Sequence, residues 1–227
     1  MKQVMLIVLA SCLLSACVST AKMATPANAS LLVEHKVIGA NPLSWQKPLA
    51  FGRWHTIDTT DYGRVDGGIP IGKAVLGGTF HARALTTNDN IHSKCSGWLL
   101  NISRKSLAVD PTLGNMPLLT CTFSGPGNRT FTLKETYSNK LDGKFSTELG
   151  NFSVKSVHEF QGSPWPSAAP VGFHIYQQDT IVWSIDKLNA GAVMEWQALP
   201  DEQKNLLAAL TMVLLVTDFE NLLWEDL

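Results

Sequence analysis

The sequence predicts a mainly β protein, an antiparallel β-barrel with one apolar C-terminal helix buried in or against it. Between Leu49 and Trp196, short segments alternate apolar and polar residues, and Gly, Pro, Asn and Asp separate them. From Leu206 to Val216, Thr211 is the only polar residue. A helix on the outside of a sheet would show a polar stripe, so this one should be surrounded on all sides.

Composition restricts the class of protein. The chain has 227 residues, 45% of them hydrophobic, with 18 basic and 19 acidic side chains and a mean hydropathy of +0.06. Such a chain is too hydrophobic to be disordered, and its length fits one domain with a sizeable core. The balanced charge argues against a nucleic-acid surface built on bulk positive charge.

Each element has a local reason. The strand segments show period-two alternation, with one face formed by Leu119, Cys121 and Phe123, by Phe131 and Leu133, by Phe152 and Val154, and by Ile181, Trp183 and Ile185. The helix is predicted over 201–217, because Pro200 fixes φ at its start and two acidic residues follow near the positive end of the helix dipole.

The N-terminus predicts a processing signal. Lys2 precedes an apolar run, Val4 to Leu14, that is too short to span a bilayer of about 20 helical residues. The run ends in Leu14-Ser15-Ala16-Cys17, which resembles the lipobox of bacterial lipoproteins. The resemblance implies cleavage before Cys17 and diacylation of its thiol. The alternative is an ordinary secretory signal with a chance cysteine at the cleavage point.

The expected organisation follows from this resemblance. Residues 1–16 are a signal peptide, 17–30 a lipidated cysteine and tether, and 31–227 one β-rich domain. Several acyl chains on one residue give stable membrane anchoring. Val18 follows the cysteine, and in enteric-type lipoproteins the absence of Asp there implies the outer membrane. The sequence leaves open whether the protein lies on the periplasmic or the surface side of that membrane.

Cleavage and acylation would leave Cys95 and Cys121 as the cysteines of the mature domain. Two thiols in an oxidising compartment predict a disulfide, whose loop would stabilise the fold by about 3–4 kcal/mol. The alternative is a pair of buried, unbonded thiols. Neither cysteine lies in a Cys-x-x-Cys motif, so a redox enzyme or zinc site has no support.

The C-terminal part resembles the phospholipid scramblases and their tubby-like fold. In 201–210, acidic residues and a lysine lead into an apolar run, and 216–220 contains an Asp-Phe pair. The strand-like segments 181–185 and 192–196 are similar as well. The resemblance implies a barrel closed around a central helix. The palmitoylated cysteine cluster of scramblases has no counterpart in this domain, and no functional residue carries over.

Motifs for chemistry are few. The stretch Gly67 to Lys73 fits a phosphate-loop frame, but Ala74 replaces the hydroxyl residue that would hold magnesium. No histidine pair has zinc-ligand spacing, and no nucleophile elbow is present. We therefore expect no catalytic, metal or cofactor residues. Three tryptophans near loops or strand ends, Trp45, Trp54 and Trp165, could pack in the core or form a surface for carbohydrate, lipid or a partner.

Three functions remain open. The first is a non-catalytic binding or assembly protein held at the outer membrane by its lipid, with an envelope protein, lipid or glycan as partner. The second is a carrier with an apolar ligand in the barrel. The third is a hydrolase whose site is dispersed along the sequence.

Overall fold

The structure is a computed structural model that describes residues 20–26, 30–40, 48–71, 74–100, 117–136, 140–217 and 219. Its elements are twelve strands and one helix, in the order β1 (Val33–Lys36), β2 (Ala50–Phe51), β3 (Trp54–Ile71), β4 (Ala74–Thr87), β5 (His92–Leu100), β6 (Leu119–Phe123), β7 (Arg129–Glu135), β8 (Leu141–Thr147), β9 (Gly150–Val157), β10 (Gly172–Gln177), β11 (Thr180–Asp186), β12 (Ala192–Glu195) and α1 (Asp201–Val216).

The strands form one antiparallel sheet in which β2 to β12 are neighbours in chain order. The first strand instead pairs with the last, with Val33 opposite Glu195. Just beyond β1, Ile38 and Ala50 exchange two backbone hydrogen bonds of 2.8 and 2.9 Å, which join β1 to β2. The sheet is thereby a nearly closed barrel, and the predicted fold class is confirmed.

The helix α1 occupies the lumen. Nine consecutive residues, Leu206 to Leu214, are buried. Nine residues cover more than two helical turns and so point in every direction around the axis. The helix contacts β3, β4 and β5 and also β11, which lies well away from them in the sheet. The expectation that the helix is apolar all round because it is enclosed is therefore confirmed.

Polar contacts fix both ends of α1. At its start, Asn205 Oδ1 accepts hydrogen bonds from Trp54 Nε1 at 2.9 Å and from Arg53 at 3.2 Å. At its end, Lys187 Nζ donates to the carbonyl oxygens of Leu214 and Thr217, both at 2.7 Å. A cation at the C-terminus complements the helix dipole. We call the barrel end at which α1 finishes the lower end.

The inner face of the barrel follows the predicted alternation. Leu119, Cys121 and Phe123 of β6 are buried, as are Phe131 and Leu133 of β7. The alternation fails in β11, where the residues from Val182 to Asp186 are all buried. The prediction was incomplete there because a second apolar cluster covers the outer face of the sheet, and its residues are Met23, Val157, Val171, Met194 and Trp196, with Phe160, Ile181 and Leu188 packed against them.

Candidate functional site

The segment 20–26 is fastened to the outer wall of the barrel at its lower end. Its Met23 side chain is 1% exposed and packs in the outer cluster. The Met23 backbone N–H donates to Asp186 Oδ2 at 3.1 Å, and that carboxylate also accepts from Leu188 N–H at 2.8 Å. Burial raises the pKa of Asp186, partly offset by these two hydrogen bonds. Residues 20–26, predicted from the sequence to belong to the tether, thus contact the barrel wall.

A glycine makes room for this segment. A Cβ added at Gly172 would overlap both the Met23 sulfur atom and the Ile185 carbonyl oxygen. Only a residue without a side chain fits between the segment and the strand behind it. The sequence reasoning missed this contact, although Met23 is the one long apolar side chain between Ser19 and Ser30.

The same segment pairs with the connection between β9 and β10. Met23 and Phe160 form an antiparallel bridge, in which Ala24 N–H donates to the Glu159 carbonyl at 2.9 Å and Gln161 N–H donates to the Lys22 carbonyl at 2.8 Å. On the other side, Asn189 Nδ2 donates to the Ala21 carbonyl at 2.8 Å. Residues 21–24 are therefore held at a fixed place on the barrel wall.

A buried histidine closes the base of this connection, which we call the 158–167 loop. His158 Nδ1 lies 3.0 Å from the Ser167 carbonyl, and the His158 carbonyl accepts from Ser167 N–H at 2.7 Å. A carbonyl oxygen can only accept, so Nδ1 carries the proton. His158 Nε2 then faces Ser156 Oγ at 3.0 Å, and that oxygen accepts from Leu141 N–H at 2.8 Å.

Trp165 lies in the closed loop and is 78% exposed. Its backbone N–H donates to Ser163 Oγ at 3.2 Å, and Ser163 N–H donates to the Phe160 carbonyl at 3.3 Å. Pro164 and Pro166 flank the tryptophan and limit the backbone further. The loop therefore presents an apolar ring to solvent from a constrained backbone.

The other two tryptophans of this group have different positions. Trp54 is buried against Phe51 and Trp183, with ring centroids 5.6 and 5.8 Å away, so it belongs to the core. Trp45 lies outside the described residues. Of the aromatic surface considered from the sequence, Trp165 alone is exposed within the part of the chain that the structure describes.

Two Ser–His contacts bear on the hydrolase hypothesis. His174 Nδ1 lies 2.8 Å from Ser184 Oγ, but Ser184 is fully buried beneath Trp196, whose Nε1 donates to the same oxygen at 2.6 Å. Burial lowers the pKa of His174 to about 4, with a small opposing effect from Glu159. In the second contact, the ring of His158 lies between Ser156 Oγ and a backbone carbonyl oxygen. A hydrolase would have a carboxylate in the position of that carbonyl. Neither contact presents an accessible, activated nucleophile.

A buried charged cluster lies on the inner side of the sheet. Glu195 is buried, and its two carboxylate oxygens bind His35 Nε2 at 2.8 Å and Lys204 Nζ at 2.6 Å. Burial opposes ionisation, but these two hydrogen bonds prevail and lower the pKa of Glu195. The cluster joins β1, β12 and α1, and we therefore assign it a structural role.

The predicted cysteine pair lies within the sheet. Cys95 in β5 and Cys121 in β6 are direct cross-strand partners with a Cα–Cα distance of 4.0 Å, and their sulfur atoms are joined. This separation is short enough for a disulfide, which requires Cα atoms within about 7 Å. Cys17, the predicted lipidation site, lies outside the described residues.

Within the described ranges, no group of His, Cys, Asp and Glu has the geometry to hold a metal ion. Over the same ranges, no helix has the length and apolar character needed to cross a membrane. Comparison with known protein families, with curated proteins and with solved structures returned no match. We call the surface made by residues 20–26 and the 158–167 loop the lower face. On its geometry alone, the lower face is the candidate functional site.

Proposed function

We propose that the protein is a lipid-anchored bacterial envelope protein, acylated on Cys17, that acts at the outer membrane as a non-catalytic binding or assembly protein. One observation carries the proposal: the segment that follows the lipobox is fastened to the barrel wall through Met23. Lys22 comes five positions after Cys17, and an extended chain of that length spans at most about 18 Å. An acyl anchor on Cys17 would hold the barrel close to the bilayer, as suits a protein whose task is to position a partner.

The filled lumen weighs against the carrier hypothesis. A small barrel holds packed side chains or one ligand, and α1 occupies this space with Leu207, Leu210 and Leu214, all fully buried. An apolar ligand would have to bind outside the described lumen. The hydrolase hypothesis is disfavoured because the Ser184 hydroxyl is buried and Ser156 lacks a carboxylate-supported histidine.

The proposal includes a relationship to the tubby-like fold. Twelve antiparallel strands around a C-terminal helix agree with what the resemblance of 201–210 and 216–220 to scramblases implies. Scramblase activity is not part of the proposal, because no functional residue of that family matches here.

The test uses Cys17→Ala in cells that produce the full chain. The native protein should incorporate labelled palmitate and sediment with outer-membrane fractions, whereas the variant should lose both properties while retaining its fold by circular dichroism. Val18→Ala, next to the modified thiol, is a matched control that should behave as the native protein. Palmitate labelling and membrane retention that persist in Cys17→Ala would refute the anchor. Stoichiometric lipid in the purified protein would favour the carrier hypothesis instead.

A further inference from the structure

We infer that the lower face docks on the membrane that holds the anchor, with the Trp165 ring seated among the lipid headgroups as a second contact. This inference rests on the proposed function, because it takes the acyl chains on Cys17 as the first contact. The occupant is the lipid bilayer itself. What it adds is an orientation: the lower end of the barrel faces the bilayer.

The distance along the chain supports this occupant. Lys22 is hydrogen-bonded through its carbonyl to Gln161 in the 158–167 loop, 2.8 Å away. Cys17 lies five positions earlier, a reach of about 18 Å when the chain is extended. The loop that carries Trp165 is thus tied directly to the point from which the anchor leaves. Acyl chains inserted in the bilayer would keep this loop near the lipid surface.

The chemistry of the exposed side chain fits that surface. Trp165 is the most exposed of the large apolar side chains that the structure describes. Tryptophan is enriched at membrane–water interfaces, because its ring is apolar and its indole N–H can hydrogen-bond to headgroups. Lys22 and Glu159, both exposed on the lower face, carry opposite charges, so the tryptophan ring, and not net charge, favours this contact.

The backbone of the loop is constrained, which favours a membrane contact. His158 and Ser167 close its base through two hydrogen bonds of 3.0 and 2.7 Å, and Ser163 bonds to the Trp165 backbone. Little backbone entropy remains to be lost when the ring enters the interface, so most of the contact energy is retained. A single anchor leaves a protein free to rotate, whereas a second contact of this kind fixes its orientation.

The experiment uses the full chain, acylated in cells and reconstituted in vesicles of phosphatidylethanolamine and phosphatidylglycerol. Trp165→Cys is labelled with an environment-sensitive fluorophore, and Thr180→Cys serves as the matched control. Thr180 is also exposed, but it begins β11 at the opposite end of that strand from Asp186. Flotation of the vesicles reports the anchor, and quenching by spin-labelled lipids reports the depth of each fluorophore.

The expected result is flotation of both proteins, with a blue shift and lipid quenching at position 165 and water-like emission at position 180. Flotation with water-like emission at both positions would overturn the docking inference and leave the anchor intact. Equal quenching at both positions would also overturn it, because the barrel would then have no preferred face. Failure to float would overturn the proposed function, and this inference with it.

Discussion

Trp183 in the barrel wall donates a hydrogen bond from its indole Nε1 to Oγ1 of Thr211, 3.0 Å away in the middle of α1. Both side chains are fully buried. The threonine hydroxyl donates in turn to the Leu207 carbonyl at 2.7 Å, so the polar side-chain atoms of the pair are satisfied. The single polar residue of the apolar run therefore joins the middle of the helix to the barrel wall, in addition to the polar contacts at its two ends.

Replacing Thr211 by Val should lower the free energy of unfolding by about 1–3 kcal/mol, because the Trp183 N–H then lacks an acceptor in the core. Chemical denaturation followed by fluorescence measures the change. Thr217→Val is the matched control, because Thr217 makes the same hydroxyl-to-carbonyl bond, to Val213 at 2.8 Å, but lies partly exposed just beyond the end of α1. Equal effects of the two substitutions would contradict the role given to the indole.

Truncating Leu210 or Leu214 to Ala should lower the free energy of unfolding by about 2–5 kcal/mol each, through lost burial and the cavity left behind. Both side chains are fully buried in the lumen. Leu215→Ala, at a partly buried position of the same helix, should cost less. Denaturation midpoints that stay within error for both core variants would show that the helix does not fill the barrel.

The stability of the fold should fall on acidification, because burial holds the pKa of His174 at about 4 in the folded chain, against 6.5 for an ordinary histidine. Between these pH values the unfolded chain binds a proton that the folded chain excludes. The stabilisation of the fold that comes from neutral His174 is therefore complete above pH 6.5. It is lost as the pH falls towards 4, by up to about 3 kcal/mol. His174→Gln should flatten the dependence of the unfolding free energy on pH in that window. Parallel curves for the two proteins would refute this assignment.

Replacing Met23 by Ala should loosen the segment 20–26 from the barrel wall. The side chain is buried in the outer cluster, so its loss removes the main apolar contact of that segment. Limited trypsin treatment should then cut faster after Lys22, which mass spectrometry of the fragments detects. Met23→Leu nearly conserves the volume and should keep the native cleavage rate. Unchanged cleavage in Met23→Ala would mean that the backbone hydrogen bonds alone hold the segment.

Reducing the bond between Cys95 and Cys121 should destabilise the barrel by about 3–4 kcal/mol on chain-entropy grounds, because the cysteines are 26 residues apart. Cys95→Ala combined with Cys121→Ala should show the same loss under oxidising and reducing conditions alike. Thiol titration of the unfolded, unreduced domain should find neither cysteine free. Two titratable thiols would disprove the bond.

The barrel could be predicted from the sequence in those strands that have one face buried and the other exposed to solvent. Phe131 and Leu133 alternate with Thr132 and Lys134, and the structure has the first two inside. Likewise, a run with Thr211 as its only polar residue predicts an enclosed helix. In the strands the period of the hydrophobic residues reports the burial, and in the helix the absence of a polar stripe does.

The lower face could not be predicted in the same way, because its contacts join distant parts of the chain. Met23 and Asp186 meet across 163 residues, and one methionine among small residues has no period to detect. One of the two hydrogen bonds that close the 158–167 loop depends on which histidine nitrogen carries the proton. That depends on the position of the Ser167 carbonyl, which only the folded chain defines.

Along the chain, the strands that form the barrel come before the helix α1 that occupies its lumen. Every described strand has been synthesised before Asp201, yet β1 can complete the sheet only with β12, and His35 meets Glu195 across 160 residues. A chain synthesised from its N-terminus would expose the inner apolar face of the strands until the last helix is made. Folding should therefore be slow, because non-local pairing delays the burial of apolar surface. Premature termination before α1 would yield an aggregating chain rather than a smaller barrel.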